Sequence, residues 1–341
     1  MSGPLPACLA PLTVPASWLY GAAIAARNRR FDRSIGVQRI DVPVVSVGNV
    51  VVGGTGKTPF VRWLARLLLK HDHRPVIAMR GYRAPRGGVS DEQAEHEELL
   101  PHTDVLAQPD RLAALRRYLP QHPDVDCVLL DDGFQHRRLH RDLDLVLIDA
   151  GHPALNDRLL PAGYLREPAS ALRRADAVIV TRAASVDLKL GQRIESRHGR
   201  PPLAWTRHIW TGLTIHDPKA GAQEAGIDWL EGKRVLTMLG VARPQAILGQ
   251  VSDAGASVAV NVPVDDHARY TEGTLERVRR LADGLDAVVL TGKDWVKVRR
   301  LIDLDAWPAP LVVPELAIEV FQGAAALEDL TLAAVARLSA P

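Results

Sequence analysis

The sequence predicts an α/β fold, with a mostly parallel sheet carrying helices on both faces. A smaller C-terminal α/β domain follows, joined by an antiparallel strand linker. Three observations predict it. Near-continuous apolar runs at residues 42–47, 75–79, 125–130, 143–148 and 177–180 alternate with helical stretches, as strands buried on both faces do. A glycine-rich loop, Gly53-Gly54-Thr55-Gly56-Lys57-Thr58, directly follows the first run and opens an amphipathic segment. After residue 200 the texture changes to a tryptophan-bearing alternating stretch and then to a second set of short apolar runs.

From the amino terminus, residues 1–26 carry no charged side chain, and Arg27, Arg29, Arg30 and Arg33 follow at once. Pro6, Pro11 and Pro15 break the first half, which leaves residues 16–26 as uninterrupted helical material. That is about half of the ~20 apolar residues that span a bilayer. No positive residue precedes the apolar stretch, as a signal peptide would require. Two readings stay open for this first segment, residues 1–35: a helix lying in the interface of an anionic membrane, or one capping the core.

The core is expected over residues 36–200. Its first strand, glycine loop, lysine, hydroxyl and helix are the order of a phosphate loop. Glycines let backbone N–H groups converge on an anion, and the helix start adds its partial positive charge. The fold is thus phosphate-loop NTPase-like, with Val51, Val52, Gly53, Gly54, Thr55, Gly56, Lys57 and Thr58 as nucleotide-binding candidates. Lys57 is expected to reach the β- and γ-phosphates of a nucleoside triphosphate, and Thr58 to offer its hydroxyl to Mg²⁺. Val51 stands where the usual motif has its first glycine, so the turn must be made by Gly53 and Gly54. In the helix that follows, Phe60, Val61, Leu64, Leu67 and Leu68 share one face, and Arg62, Arg66 and Lys70 another.

The run from Cys127 to His136 ends an apolar strand in Asp131-Asp132-Gly133-Phe134-Gln135-His136. A strand-end aspartate delivers a carboxylate to the sheet edge where α/β proteins bind ligands, and Mg²⁺ takes hard oxygen donors. A solvated turn is the alternative. Arg80-Gly81 ends the second strand, and Ser90-Asp91-Glu92 stands in the following loop. A carboxylate there can accept a proton from an attacking hydroxyl. The acidic run through Glu95, Glu97 and Glu98 leaves a solvated helix start open. Residues 160–168 form a turn-rich loop that supplies Arg166 near the active edge.

Beyond the core, residues 201–216 read as a pair of antiparallel strands, giving a linker over residues 201–218. The second domain is expected over residues 219–341, with strands at 235–239, 257–261 and 287–290. Its helices are expected near 244–252, 272–282 and 295–302, with a terminal helix near 325–338. Asp265-Asp266-His267 follows one of these strands, and a lone histidine of this kind is ordinarily a surface or packing residue. The net charge of +2 gives no bulk argument for nucleic acid, and none is expected as a partner. Two cysteines, Cys8 and Cys127, suggest neither a disulfide framework nor a zinc site.

Together these motifs resemble the tetraacyldisaccharide 4′-kinases, the lipid A 4′-kinases of Gram-negative envelopes. The resemblance is carried by Gly48-Asn49 with the GGTGKTP loop, Arg80-Gly81-Tyr82, Asp91-Glu92, the DDGFQH run, the LPAG-x-LREP loop, Asp266-His267 and Thr291-Gly292-Lys293-Asp294. It implies a kinase that uses ATP and Mg²⁺ on an acylated glucosamine disaccharide 1-phosphate, at the cytoplasmic face of the inner membrane. By the same resemblance Asp91 is the catalytic base and His267 its partner from the second domain, while Glu92 and Asp131 are Mg²⁺-associated. Asn49, Arg80, Asp132, Gln135, His136 and Arg166 are expected near the substrate, and the amino-terminal segment docks on an anionic membrane. The chain departs from the family pattern at Met79, Arg83, Ser90, Gln93 and Gly292. Rival readings are a metallochaperone-like regulatory NTPase, for which no cysteine or histidine cluster is present, and a soluble small-metabolite kinase, which leaves the apolar start unexplained.

Overall fold

Alternate residues of the central strands face opposite ways, and this divides the core into two layers. Leu145 and Leu147 meet the helix after the glycine loop, while Val146 and Ile148 pack on the other side with Leu172, Leu190 and Ile194. A computed structural model describes residues 10–81, 90–241, 244–265 and 270–336; of Ala10, Pro11, Asp91 and Glu92 it describes the backbone only. In chain order the helices are α1 (Ala10–Asp32), α2 (Lys57–Lys70), α3 (Asp91–Leu99), α4 (Arg111–Tyr118), α5 (Leu188–His198), α6 (Pro244–Asp253), α7 (Glu272–Leu281), α8 (Gly292–Val298) and α9 (Ala324–Ala336). The strands are β1 (Val44–Gly48), β2 (Pro75–Met79), β3 (Val105–Ala107), β4 (Cys127–Asp131), β5 (Leu143–Asp149), β6 (Ala177–Thr181), β7 (Ala204–Asp217), β8 (Gly221–Ala225), β9 (Arg234–Leu239), β10 (Ser257–Pro263), β11 (Ala287–Leu290) and β12 (Leu311–Gln322).

The chain divides into two units, residues 1–207 with 318–341 and residues 208–317. In the first, the parallel strands run β3-β2-β4-β1-β5-β6 and then the start of β7. Because β1 lies between β4 and β5, its loop opens where the strand order reverses, the crevice in which open α/β sheets bind ligands. In the second unit β10, β9, β11 and β12 are parallel, and β8 pairs antiparallel with β7.

Several expectations are corrected. Residues 201–216 are not a strand pair; β7 is one long strand, and its antiparallel partner is the exposed β8. The terminal helix does not belong to the second unit. β12 leads back into the first, where Leu327, Ala334 and Val335 of α9 join the cluster that holds Val45 and Phe60. Helix α1 begins at Ala10 rather than near residue 16, because Pro11 falls in the first turn, where no backbone donor is needed. Pro15 is carried inside it. Arg62, on the polar face of α2, is buried against α3, with Nη1 3.0 Å from Glu95 Oε1. Helix α8 starts three residues early because Thr291 and Asp294 form a reciprocal capping box.

Candidate active site

The loop after β1 turns on two left-handed glycines, Gly53 at φ 116° and Gly56 at φ 82°. Side chains strongly disfavour such backbone, so glycine is required there. Gly56 caps α2 with no side-chain hydrogen bond, which leaves the first amides of a fourteen-residue helix for an anion. A Cβ placed on Gly53 or Gly54 would meet no atom within 4 Å, so the loop's upper face is open. On its flank the buried Asn49 donates Nδ2 to Thr55 Oγ1 at 2.9 Å and to the Gly53 carbonyl at 3.4 Å.

Val51 and Val52 act as a seam rather than as part of the cradle. Val51 pairs with Leu165, and the Val52 N–H donates to the Tyr164 carbonyl at 2.8 Å. The Arg166 N–H donates to the Val50 carbonyl at 2.8 Å. The 159–166 segment is thereby stitched to the loop, and this brings Arg166 to the site.

Strand β4 is in register with β1, Asp131 opposite Val47, so its terminal carboxylate stands beside the loop. Thr58 Oγ1 donates to Asp131 Oδ2 at 3.1 Å. Asp132, at φ 57°, turns its carboxylate between two cations: Lys57 Nζ at 3.4 Å and Arg166 Nη1 at 2.6 Å. Burial pushes the Asp132 carboxyl up, but Lys57 and Arg166 outweigh it and hold it down at about 2. Gln135 donates Nε2 to the Asn49 carbonyl at 2.9 Å, which ties the strand-end turn to the loop. Thus Asn49, Lys57, Thr58, Asp131, Asp132, Gln135 and Arg166 converge.

The remaining candidates are Arg80, His136, Asp91, Glu92, Asp266 and His267. Arg80 is exposed at the end of β2. Burial, with Arg111 and Arg141 nearby, pushes the His136 imidazole down to about 4. The backbone of Asp91 and Glu92 opens α3 behind the Ser90 cap, and their side chains lie outside the described residues, as do Asp266 and His267.

Three residues at the site, Arg111, His96 and Arg182, carried no sequence signal, and a fourth, Glu167, stood unremarked within the LREP loop. Arg111 Nη1 donates to the carbonyls of Asp131 and Asp132 at 3.2 and 3.0 Å. His96, fully buried, places Nε2 3.3 Å from Asp131 Oδ2 and ties α3 to β4. Arg182 pairs with Asp149, and the buried Glu167 receives Arg174, Asn28 and Arg27. Each belongs to a distant stretch of chain. Only the Glu167 pairing touches a quoted motif, LREP.

The donors present fit Mg²⁺, which takes one or two carboxylates together with phosphate oxygens and water. Thr58 and Asp131 supply a hydroxyl and a carboxylate. Among the described residues no cluster of three or more acidic, histidine or cysteine side chains forms an all-protein metal cage.

Comparison with known proteins identifies the family. The family model for tetraacyldisaccharide-1-P 4′-kinase matches residues 9–334. A tetraacyldisaccharide 4′-kinase of Geobacter sulfurreducens is 36% identical over 85% of this chain and 84% of its own length. One from Anaeromyxobacter sp. (strain K) is 38% identical over 99% and 94%. Among solved structures, LpxK from Aquifex aeolicus, described as in complex with ATP, superposes with a TM-score of 0.72 at 29% identity, covering 94% of this chain and 98% of that one. With its phosphate loop, strand-end aspartates and LREP loop assembled at one sheet edge, the chain belongs to the tetraacyldisaccharide-1-P 4′-kinase family.

Proposed function

We propose that this protein transfers the γ-phosphate of ATP to the 4′-hydroxyl of an acylated glucosamine disaccharide 1-phosphate, forming the 4′-phosphate of a lipid A precursor. The observation that carries the reading is the Lys57–Asp132–Arg166 triad beside the Thr58–Asp131 pair, in a chain matched by the family over nearly its whole length.

Phosphoryl transfer needs in-line positioning and charge neutralisation more than covalent chemistry. The open amides over Gly53 and Gly54 take the phosphate chain, and Lys57 brings its charge to the β- and γ-oxygens. Asp132 stays ionised at any physiological pH, so it orients both Lys57 and Arg166. Mg²⁺, held by Thr58 and Asp131 with Glu92 as a further candidate, supplies neutralisation of the β- and γ-phosphate charge when bound. Asp91 is our proposed base for the sugar hydroxyl, with His267 as its support.

No described helix is long and apolar enough to cross a membrane. Leu12, Trp18 and Leu19 of α1 are 72–75% exposed, and Arg29 and Arg30 close the helix. We therefore place the protein on the surface of an anionic membrane, at the cytoplasmic face where ATP is available.

Transfer from γ-labelled ATP to the acylated disaccharide in detergent micelles tests the reading, with GTP and soluble sugars as parallel arms. Labelling of the lipid by ATP is expected, and Lys57→Ala should lose at least about two orders of magnitude in rate while circular dichroism stays native. Labelling of a soluble sugar alone, or a folded Lys57→Ala at full rate, contradicts it.

A further inference from the structure

The register that sets Asp149 of β5 opposite Thr181 of β6 brings two strand ends against the outer side of the phosphate loop. Thr181 Oγ1, fully buried, donates to the Thr55 carbonyl at 2.8 Å. Arg182 adopts a left-handed backbone at φ 55°, uncommon for a residue with a side chain and a mark of local constraint. From there Nη2 donates to the Gly54 carbonyl and pairs with Asp149 Oδ2 at 3.1 Å. Asp149 is buried, and its other oxygen receives the Gly151 N–H at 2.9 Å, so the carboxylate is fixed from both sides.

The two carbonyls held in this way are consecutive. In a trans peptide the C=O and the next N–H point in opposite directions. Drawing the Gly54 and Thr55 carbonyls toward β6 therefore turns the N–H groups of Thr55 and Gly56 the other way, out of the β6 side of the loop. Asn49 steadies the loop through Thr55 Oγ1 and the Gly53 carbonyl.

We infer that Thr181 and Arg182, with Asp149 behind them, form a clamp that pre-orders the phosphate loop, Arg182 being a positioning residue for polyphosphate binding. The inference rests on the nucleotide reading above and adds that this affinity is set partly from the neighbouring strand. The clamp lowers the ordering cost of binding, because peptide groups already aimed at an anion lose little freedom when it arrives. Its ligand is the phosphate chain and not the base.

Calorimetry on the full chain with two probes, MgATP and magnesium tripolyphosphate, tests this. Arg182→Ala is expected to weaken both by the same factor, about tenfold or more, the scale of a lost hydrogen bond to a charged group. Thr181→Val should weaken both by about three- to tenfold. Arg182→Lys should fall between native and alanine, since an ammonium can reach one acceptor but lacks the planar fork. In the transfer assay KM for ATP should rise by the binding factor, with kcat and KM for the lipid within about twofold. Arg193→Ala, exposed on α5, is the neutral control.

Loss of ATP affinity with tripolyphosphate unchanged would overturn the clamp, because it would mean that Arg182 serves the base. Native affinity for both probes in folded Arg182→Ala would overturn it as well. If that variant does not fold, native affinities in both Arg182→Lys and Thr181→Val do the same. Failure of the native chain to bind either probe would remove the nucleotide reading itself, and this inference with it.

Discussion

His136 sits in the strand-end turn with Arg111, Arg141 and Arg138 around it and Asp110 as the only opposing charge among the groups that bear on it. Burial first, and those guanidinium groups second, push its imidazole from 6.5 to about 4, so the folded chain holds it neutral where the unfolded chain would protonate it. Between those two values the unfolded state binds more protons, so His136 costs stability as pH falls from about 6.5 to about 4 and adds no further loss below. His136→Gln should therefore flatten the stability profile over that window, read as urea midpoints at several pH values. Superimposable profiles for native and variant would contradict the assignment. The same residue shows a limit of sequence reading. His136 stands in a motif full of site residues, yet the charges that bear on its ring are mostly arginines delivered by other stretches of chain.

At the scale of elements, α3 and α1 carry the proposals that chemistry needs most. Helix α3 is pinned on two sides, to α2 through Glu95 and Arg62 and to β4 through His96 and Asp131. The first turn that holds Asp91 thus has a fixed origin near the strand end. If Asp91 is the base, Asp91→Ala lowers kcat by about two to four orders of magnitude, the usual scale for general-base loss. Glu97, exposed on the same helix and accepting from Gln93 Nε2 at 2.8 Å, should tolerate alanine at nearly full rate. Equal effects of the two substitutions would mean a solvated acidic face. Helix α1 is docked from its middle onward, where Tyr20 donates to the Arg166 carbonyl at 2.9 Å and Arg27 and Asn28 reach Glu167. Trp18 and Leu19 remain outside that contact. Replacing both by alanine should cut partitioning onto anionic liposomes by about tenfold or more, from the apolar area they offer the interface. Unchanged co-sedimentation would argue against docking through α1.

For the whole molecule, much of the sheet was legible, because strands buried on both faces leave apolar runs such as those at β1, β4 and β5. The three-residue β3, only half buried, and the exposed β8 left no such trace. Nor could sequence show that β12 returns the chain to the first unit, since the apolar stripe of α9 fits any core equally well. At the site, Lys57, Thr58 and Asp131 were legible because glycine loop, lysine and strand end are local in the chain. Arg111, His96 and Arg182 were not, because topology alone delivers them. Periodicity set Arg62 on the polar face of α2 but could not foresee its buried partner on another helix. What unites these parts is the claim that one sheet edge directs ATP to one sugar hydroxyl. Phosphorus and proton NMR of the lipid product made by the native chain tests that claim most directly. A new phosphomonoester coupled to the proton at the 4′ carbon is expected, with the 1-phosphate unchanged. A phosphate on any other oxygen, or a diphosphate at the 1-position, would contradict it.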